Sequence, residues 1–158
     1  EGYNNLKRAD IIIQNNKFNN FEILQGLRKF NKNIYALNYS VKGFFDINNK
    51  DHSIETRDVC IFAGLARPMS FTNKLAEYNC NIVDSLAFED HHNYNSEDII
   101  RIKQKSNKET LFITTEKDFI KIREFKDFIE YFNVLFMKID LNLNDNVGFF
   151  NQVKELLK

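Results

Sequence analysis

Two of the three histidines in this 158-residue chain sit side by side in Phe88-Glu89-Asp90-His91-His92-Asn93-Tyr94, flanked by two carboxylates. An imidazole changes charge near neutral pH, so a histidine beside an aspartate can hold or move a proton. Two other stretches carry comparable groups. Gly64-Leu65-Ala66-Arg67-Pro68 offers a tight backbone bend and a guanidinium. Thr114-Thr115-Glu116-Lys117-Asp118 offers hydroxyls, carboxylates and an ammonium. Gathered on a rim where helices begin, such groups suit phosphoryl or carboxyl chemistry.

Each stretch also has a plainer reading. Asp90-His91-His92 fits a solvated loop, or a histidine fixed by its neighbour for structure alone. Thr115 followed by early acids is an ordinary helix start, with Lys117 its odd member. A single glycine makes Gly64 to Pro68 weak as a phosphate loop. No metal centre is expected: adjacent histidines point different ways, and neither Cys60 nor Cys80 has metal-ligand spacing. The glycines at positions 2, 26, 43, 64 and 148 permit neither G-x-x-x-x-G-K-S/T nor G-x-G-x-x-G, so the sequence carries no recognisable nucleotide-binding element of its own. A G-x-S-x-G nucleophile elbow is likewise absent.

The surrounding pattern says what must position these groups. Val59-Cys60-Ile61-Phe62-Ala63 is a continuous apolar run that ends at Gly64, and Arg67-Pro68 opens a helix with Phe71, Leu75 and Tyr78 on one face. Ile82 to Phe88 reads as the next strand. Asn95 or Ser96 caps a helix with Glu97 and Asp98 in its first turn. Leu111 to Thr114 is a third strand, Thr115 caps a helix bearing Phe119 and Ile122, and Val134 to Ile139 is a fourth. Asp145 or Asn146 starts a last helix whose apolar face is Val147, Phe150, Val153 and Leu157. Upstream, Ala9 to Gln14 reads as a strand, Phe21 to Phe30 as an amphipathic helix weakened by Gly26, Ile34 to Ile47 as one or two strands bent at Gly43, and Ile54 to Arg57 as an edge strand. Tyr94 is expected in the core and His52 exposed in a polar turn.

This alternation predicts an α/β fold: a mostly parallel sheet with helices on both faces, Rossmann-like and three-layered. Residues 1–158 are read as a single domain, with residues 1–15 a linker or edge strand. In a parallel sheet the three reactive stretches all lie above the carboxyl ends of the strands, where open α/β sheets place their working residues. Equal numbers of basic and acidic residues, 22 of each, argue against a general nucleic-acid surface. Two cysteines beside apolar runs read as reduced, buried thiols. No apolar run reaches the length of a membrane span, and no signal peptide is visible.

The order of these stretches resembles a known family. Phe62-Ala63-Gly64-Leu65-Ala66-Arg67-Pro68 with Phe71 is similar to the F-x-G-I/L-G/A-x-P-x-x-F signature of the tetraacyldisaccharide 4'-kinases. Phe88 to Tyr94 resembles that family's F-x-D-H-x-x-Y/F loop. Thr115 to Lys121 resembles its T-E-K-D-A/S-V/I-K segment, with Phe119 in place of a small residue. Arg8 to Asn15 is similar to its R-A-D-x-I/V-I/V-x-N strand. The resemblance covers nearly the whole chain and the carboxyl-terminal half of the family's longer protein.

It implies an enzyme that phosphorylates the 4'-hydroxyl of a lipid A disaccharide precursor with ATP and Mg2+, at the cytoplasmic face of the inner membrane of Gram-negative bacteria. It further implies a second domain, not in this sequence, that carries the P-loop, most magnesium ligands, the membrane contact and an aspartate paired with the loop histidine. On that resemblance His91, not His92, is the catalytic imidazole, with Asp90 orienting or charge-tuning it. Gly64, Arg67, Thr115, Glu116, Lys117 and Asp118 would line the substrate and nucleotide cleft. This chain alone is then expected to be inactive. The rival reading is a non-catalytic α/β binding module derived from such a kinase.

Overall fold

A computed structural model describes residues 3–30, 33–105 and 109–158. In chain order the elements are β1 (Ile12–Lys17), β2 (Ile34–Phe45), β3 (Asp58–Gly64), α1 (Pro68–Ala76), β4 (Asn81–Phe88), α2 (Ser96–Lys103), β5 (Leu111–Thr115), α3 (Glu116–Ile122), α4 (Lys126–Tyr131), β6 (Val134–Leu143) and α5 (Asn146–Leu156). Short 3-10 turns occupy Tyr3–Arg8 and Gln25–Leu27. The expected α/β class holds, because β1 pairs with β2, β3 with β4 and β5, and β5 with β6, every one of these pairs parallel.

The chain falls into two units, residues 42–138 and residues 1–41 with 139–158. The larger unit holds the three reactive stretches. Its strands are hydrogen-bonded in the order β6-β5-β3-β4. From Val59 onward β3 is buried on both faces, as a central parallel strand covered by helices must be. Its core is strongly aromatic: Phe62 touches Phe112, Phe128 and Tyr94, with ring centroids 6.0 to 6.4 Å apart. Edge-on and tilted pairs of this kind stabilise by about 0.5–1.5 kcal/mol each beyond the area they bury. Both cysteines are free thiols, and burial pushes that of Cys60 up to about 12.

The smaller unit departs from expectation in two places. The helix expected over Phe21 to Phe30 shrinks to the Gln25–Leu27 turn, which has no side-chain cap. Gly26 sits at its centre, and Phe21 and Leu24 are exposed rather than packed. A short uncapped helix needs a broad buried face to persist, and here only Leu27 of the expected face is buried. In α5 most of the expected apolar face points outward: Val147 and Phe150, like Leu157 just beyond the helix, are 72, 58 and 82 % exposed, while Val153 is half-buried. Phe149 packs instead, its ring edge-on to Tyr35 at 5.3 Å.

Three corrections fall in the larger unit. Ile54 to Arg57 is not a strand but a turn through Thr56, whose φ is 59°, with the Ile54 side chain buried. His52 is not a free surface group, because its Nε2 lies 2.8 Å from Asp46 Oδ2. The α4 helix was not anticipated, although Phe125, Phe128, Ile129 and Phe132 recur at helical spacing and Phe128 and Ile129 are core residues. At Gly43, in β2, the missing side chain leaves room for Asp51 Oδ1 to accept the Phe44 N–H at 3.0 Å.

Candidate functional site

The three reactive stretches follow the carboxyl ends of β3, β4 and β5, which run in parallel and therefore end on one edge. Gly64 and Phe88, the last residues of β3 and β4, are direct register partners. Gly64 is the point where the stretches meet. A Cβ added to it would lie 3.0 Å from the Glu89 carbonyl, 3.2 Å from Asp118 Oδ1 and 3.4 Å from His92 Cβ. Glycine is needed there for close approach.

Asp118 forms the floor. It is wholly buried, and its Oδ2 accepts the Gly64 N–H at 3.1 Å and the Thr115 hydroxyl at 2.7 Å. Thr115 is the N-cap of α3 and accepts the Asp118 N–H in return at 3.1 Å, so cap and carboxyl satisfy each other. The other oxygen, Oδ1, is buried without a hydrogen-bond partner, as is the Tyr94 hydroxyl. Burial, and then the nearby Asp118 carboxyl, push the Tyr94 hydroxyl upward. The bonds at Oδ2 lock the end of β3 to the start of α3.

The histidine loop is built on that floor, and its two imidazoles are held very differently. His92 is a strut. Its Nε2 lies 2.8 Å from Asp98 Oδ2, and its ring stacks on Phe88 with centroids 4.8 Å apart. Asp98 also accepts the Asn95 N–H at 3.0 Å while Asn95 Oδ1 accepts the Asp98 N–H, a reciprocal cap on α2. Burial alone would raise the Asp98 carboxyl; the bonds from His92 and from the Asn95 N–H outweigh it and hold the group below its ordinary range. Lys121 donates to the His92 carbonyl.

His91 is a projection. Its backbone is left-handed, with φ at 62°, a conformation uncommon outside glycine. Asp90 Oδ1 accepts its N–H at 3.0 Å, which steadies that turn. Its side chain is 80 % exposed, with Nε2 3.9 Å from Asp90 Oδ2, beyond hydrogen-bond length. Lys117 Nζ sits 3.3 Å from Asp90 Oδ1. Desolvation pushes the Asp90 carboxyl up, but the Lys117 hydrogen bond and the His91 and Lys117 charges prevail and lower it.

Of the residues singled out from sequence, the structure thus joins Gly64, Thr115 and Asp118 in one cluster and Asp90, His91 and Lys117 in another, linked through the loop backbone. Asp118 stands beneath the rim rather than on it. Arg67, exposed at the start of α1, and Glu116, half-buried in the first turn of α3, have no side-chain partner in either cluster. Sequence reasoning missed Lys121 and the pairing of His92 with Asp98. The signals were present: Lys121 lies one helical turn beyond Lys117, and Asn95-x-x-Asp98 has the spacing of a reciprocal cap. Among the described residues no group of three or more His, Cys, Asp or Glu side chains is placed to hold a metal ion. Nor, among them, is any helix long and apolar enough to cross a membrane.

Comparison with known proteins identifies relatives of the chain. The family described as Tetraacyldisaccharide-1-P 4'-kinase matches residues 1–158. A tetraacyldisaccharide 4'-kinase from Syntrophus aciditrophicus is 31% identical over 102 residues, covering 63% of this chain and 27% of its own length. That of Pelagibacter ubique is 23% identical over 158 residues, 99% of this chain and 48% of its own length. The crystal structure of the "apo" form of LpxK from Aquifex aeolicus in complex with ATP has the same fold, with a TM-score of 0.66 at 17% identity, covering 100% of this chain and 46% of that one. The chain spans less than half the length of these relatives. Match and fold together lead to one conclusion: the chain belongs to the tetraacyldisaccharide-1-P 4'-kinase family.

Proposed function

We propose that this chain supplies one wall of a phosphotransfer site that moves the γ-phosphoryl group of ATP to the 4'-hydroxyl of the lipid A disaccharide precursor. The observation that carries the reading is the contrast at the histidine loop: His92 is bonded on its ring and its carbonyl, while the adjacent His91 is held out to solvent by a left-handed backbone. A projecting imidazole backed by a carboxylate suits proton transfer with a group that comes from outside this wall. His91 is then the catalytic imidazole, working with a base on the opposite wall. Asp90 sets its charge environment, and Lys117 and Arg67 offer positive charge to a phosphate.

The residues in hand do not fit a magnesium site or a nucleotide cradle. No P-loop spacing exists in the sequence, and the described residues contain no metal-ligating cluster. ATP and Mg2+ are assigned to the remaining length of the relatives, as is contact with the cytoplasmic face of the inner membrane, and no step is routed through them. With the site split between two walls, closure completes it.

The test is phosphoryl transfer from ATP to the disaccharide precursor by a full-length kinase that contains this chain. His91→Ala is expected to lower kcat by about 10²-fold or more, with KM little changed. The purified 158-residue chain is expected to show no transfer. Unchanged kcat in His91→Ala, or turnover by the chain alone, contradicts the reading.

A further inference from the structure

Lys117 and Lys121 lie one turn apart on α3 and both reach the histidine loop, but they hold it in different ways. Lys121 is half-buried and bound to the backbone carbonyl of His92. Lys117 is exposed, and its ammonium rests on one oxygen of the half-exposed Asp90 carboxylate at 3.3 Å. The other oxygen of that carboxylate faces His91 Nε2 at 3.9 Å, just too far for a hydrogen bond. Asp90 is therefore shared between a cation that holds it and an imidazole that does not quite reach it.

We propose that Lys117 is an exchangeable cation: it rests on Asp90 while the site is empty, transfers to a phosphate group of the ligand, and so releases Asp90 to take up His91. An exposed pair of this type is weak because water screens it, so little opposes the exchange. A polyphosphate offers the ammonium more negative charge than one carboxylate does, with several acceptor oxygens. Released from Lys117, Asp90 still has the His91 ring at 3.9 Å, and a small rotation about its side chain closes the gap. Phosphate arrival and preparation of the imidazole thereby become one event. Lys121 cannot exchange in this way, because its partner is a backbone carbonyl and letting go would loosen the loop itself. The proposal rests on the phosphotransfer reading for the identity of the ligand.

With three histidines in the chain, imidazole 15N–1H spectra of the 158-residue protein can be assigned by single substitution. Inorganic tripolyphosphate, added at constant pH, is expected to shift the His91 ring resonances and leave those of His52 and His92 in place. Lys117→Met without phosphate is expected to shift His91 in the same direction and to abolish the response to tripolyphosphate; Lys117→Arg is expected to restore that response. Sodium chloride at matched ionic strength reports simple screening. A silent His91 in the wild-type chain, an equal response to sodium chloride, or a response that survives in Lys117→Met overturns the exchange. A silent His91 alongside a kcat loss in His91→Ala would defeat the exchange and leave the kinase reading standing. The converse pair of results would do the opposite.

Discussion

The floor of the site and its lip are built from the same residue types and held by opposite means. On the floor, the Gly64 N–H and the Thr115 hydroxyl both end on one oxygen of a fully buried Asp118, and His92 closes on Asp98 above a stacked Phe88. On the lip, Asp90, His91 and Lys117 are exposed and meet at 3.3 to 3.9 Å. The difference teaches which groups are committed. The floor bonds that are made, at Asp118 Oδ2 and at the His92 ring, join groups within the protein, so they fix positions. Lip groups have bonding capacity to spare, so they can meet a ligand or a second wall.

The floor should fail most visibly when its carboxyl is removed. Asp118→Ala strands a buried N–H and a hydroxyl together and is expected to cost about 2–4 kcal/mol, read by urea unfolding. A loss below about 0.5 kcal/mol would mean that the cluster is ornamental. Gly64→Ala is next. Its Cβ would press on a backbone carbonyl at 3.0 Å, which cannot swing aside as a side chain can. The expected cost is about 1–3 kcal/mol, with amide shifts at Glu89 and His92 as the structural readout. Unchanged amide positions there would place the meeting point elsewhere.

A smaller effect, and a sharper one, concerns pH. The folded-state pKa of Asp98 is lowered, so its contribution is present above the unfolded value near 3.9 and is lost as pH falls through the lower folded value. Wild type should therefore exceed Asp98→Asn in stability at pH 6, and the gap should narrow steadily below about pH 4. A gap that stays constant into acid would remove the His92–Asp98 pair from the account.

The same comparison marks how far sequence could see. Val59 to Ala63, the Thr115 cap and a cap at Asn95 or Ser96 were legible because apolar continuity and capping chemistry are local properties. All three reactive stretches and the edge they share follow from strand-helix alternation alone. The roles within the site were not legible. Nothing in Asp90-His91-His92 shows which imidazole will stack on Phe88, because that depends on an aspartate six residues further on. Asp118 reads as one more early helix acid until β3 brings Gly64, 54 positions away in sequence, against it. The failures at Phe21 to Phe30 and at α5 have one cause: apolar periodicity reports a face able to be buried, not one that is.

The most direct measurement is the unfolding free energy of His91→Ala beside that of His92→Ala, in the same 158-residue chain and buffer. The account predicts that His92→Ala costs about 1–3 kcal/mol, since it leaves Asp98 half-buried without its partner, while His91→Ala stays within about 0.5 kcal/mol of wild type. Equal losses, or a larger loss at His91, would contradict the assignment of one imidazole to the floor and the other to the lip.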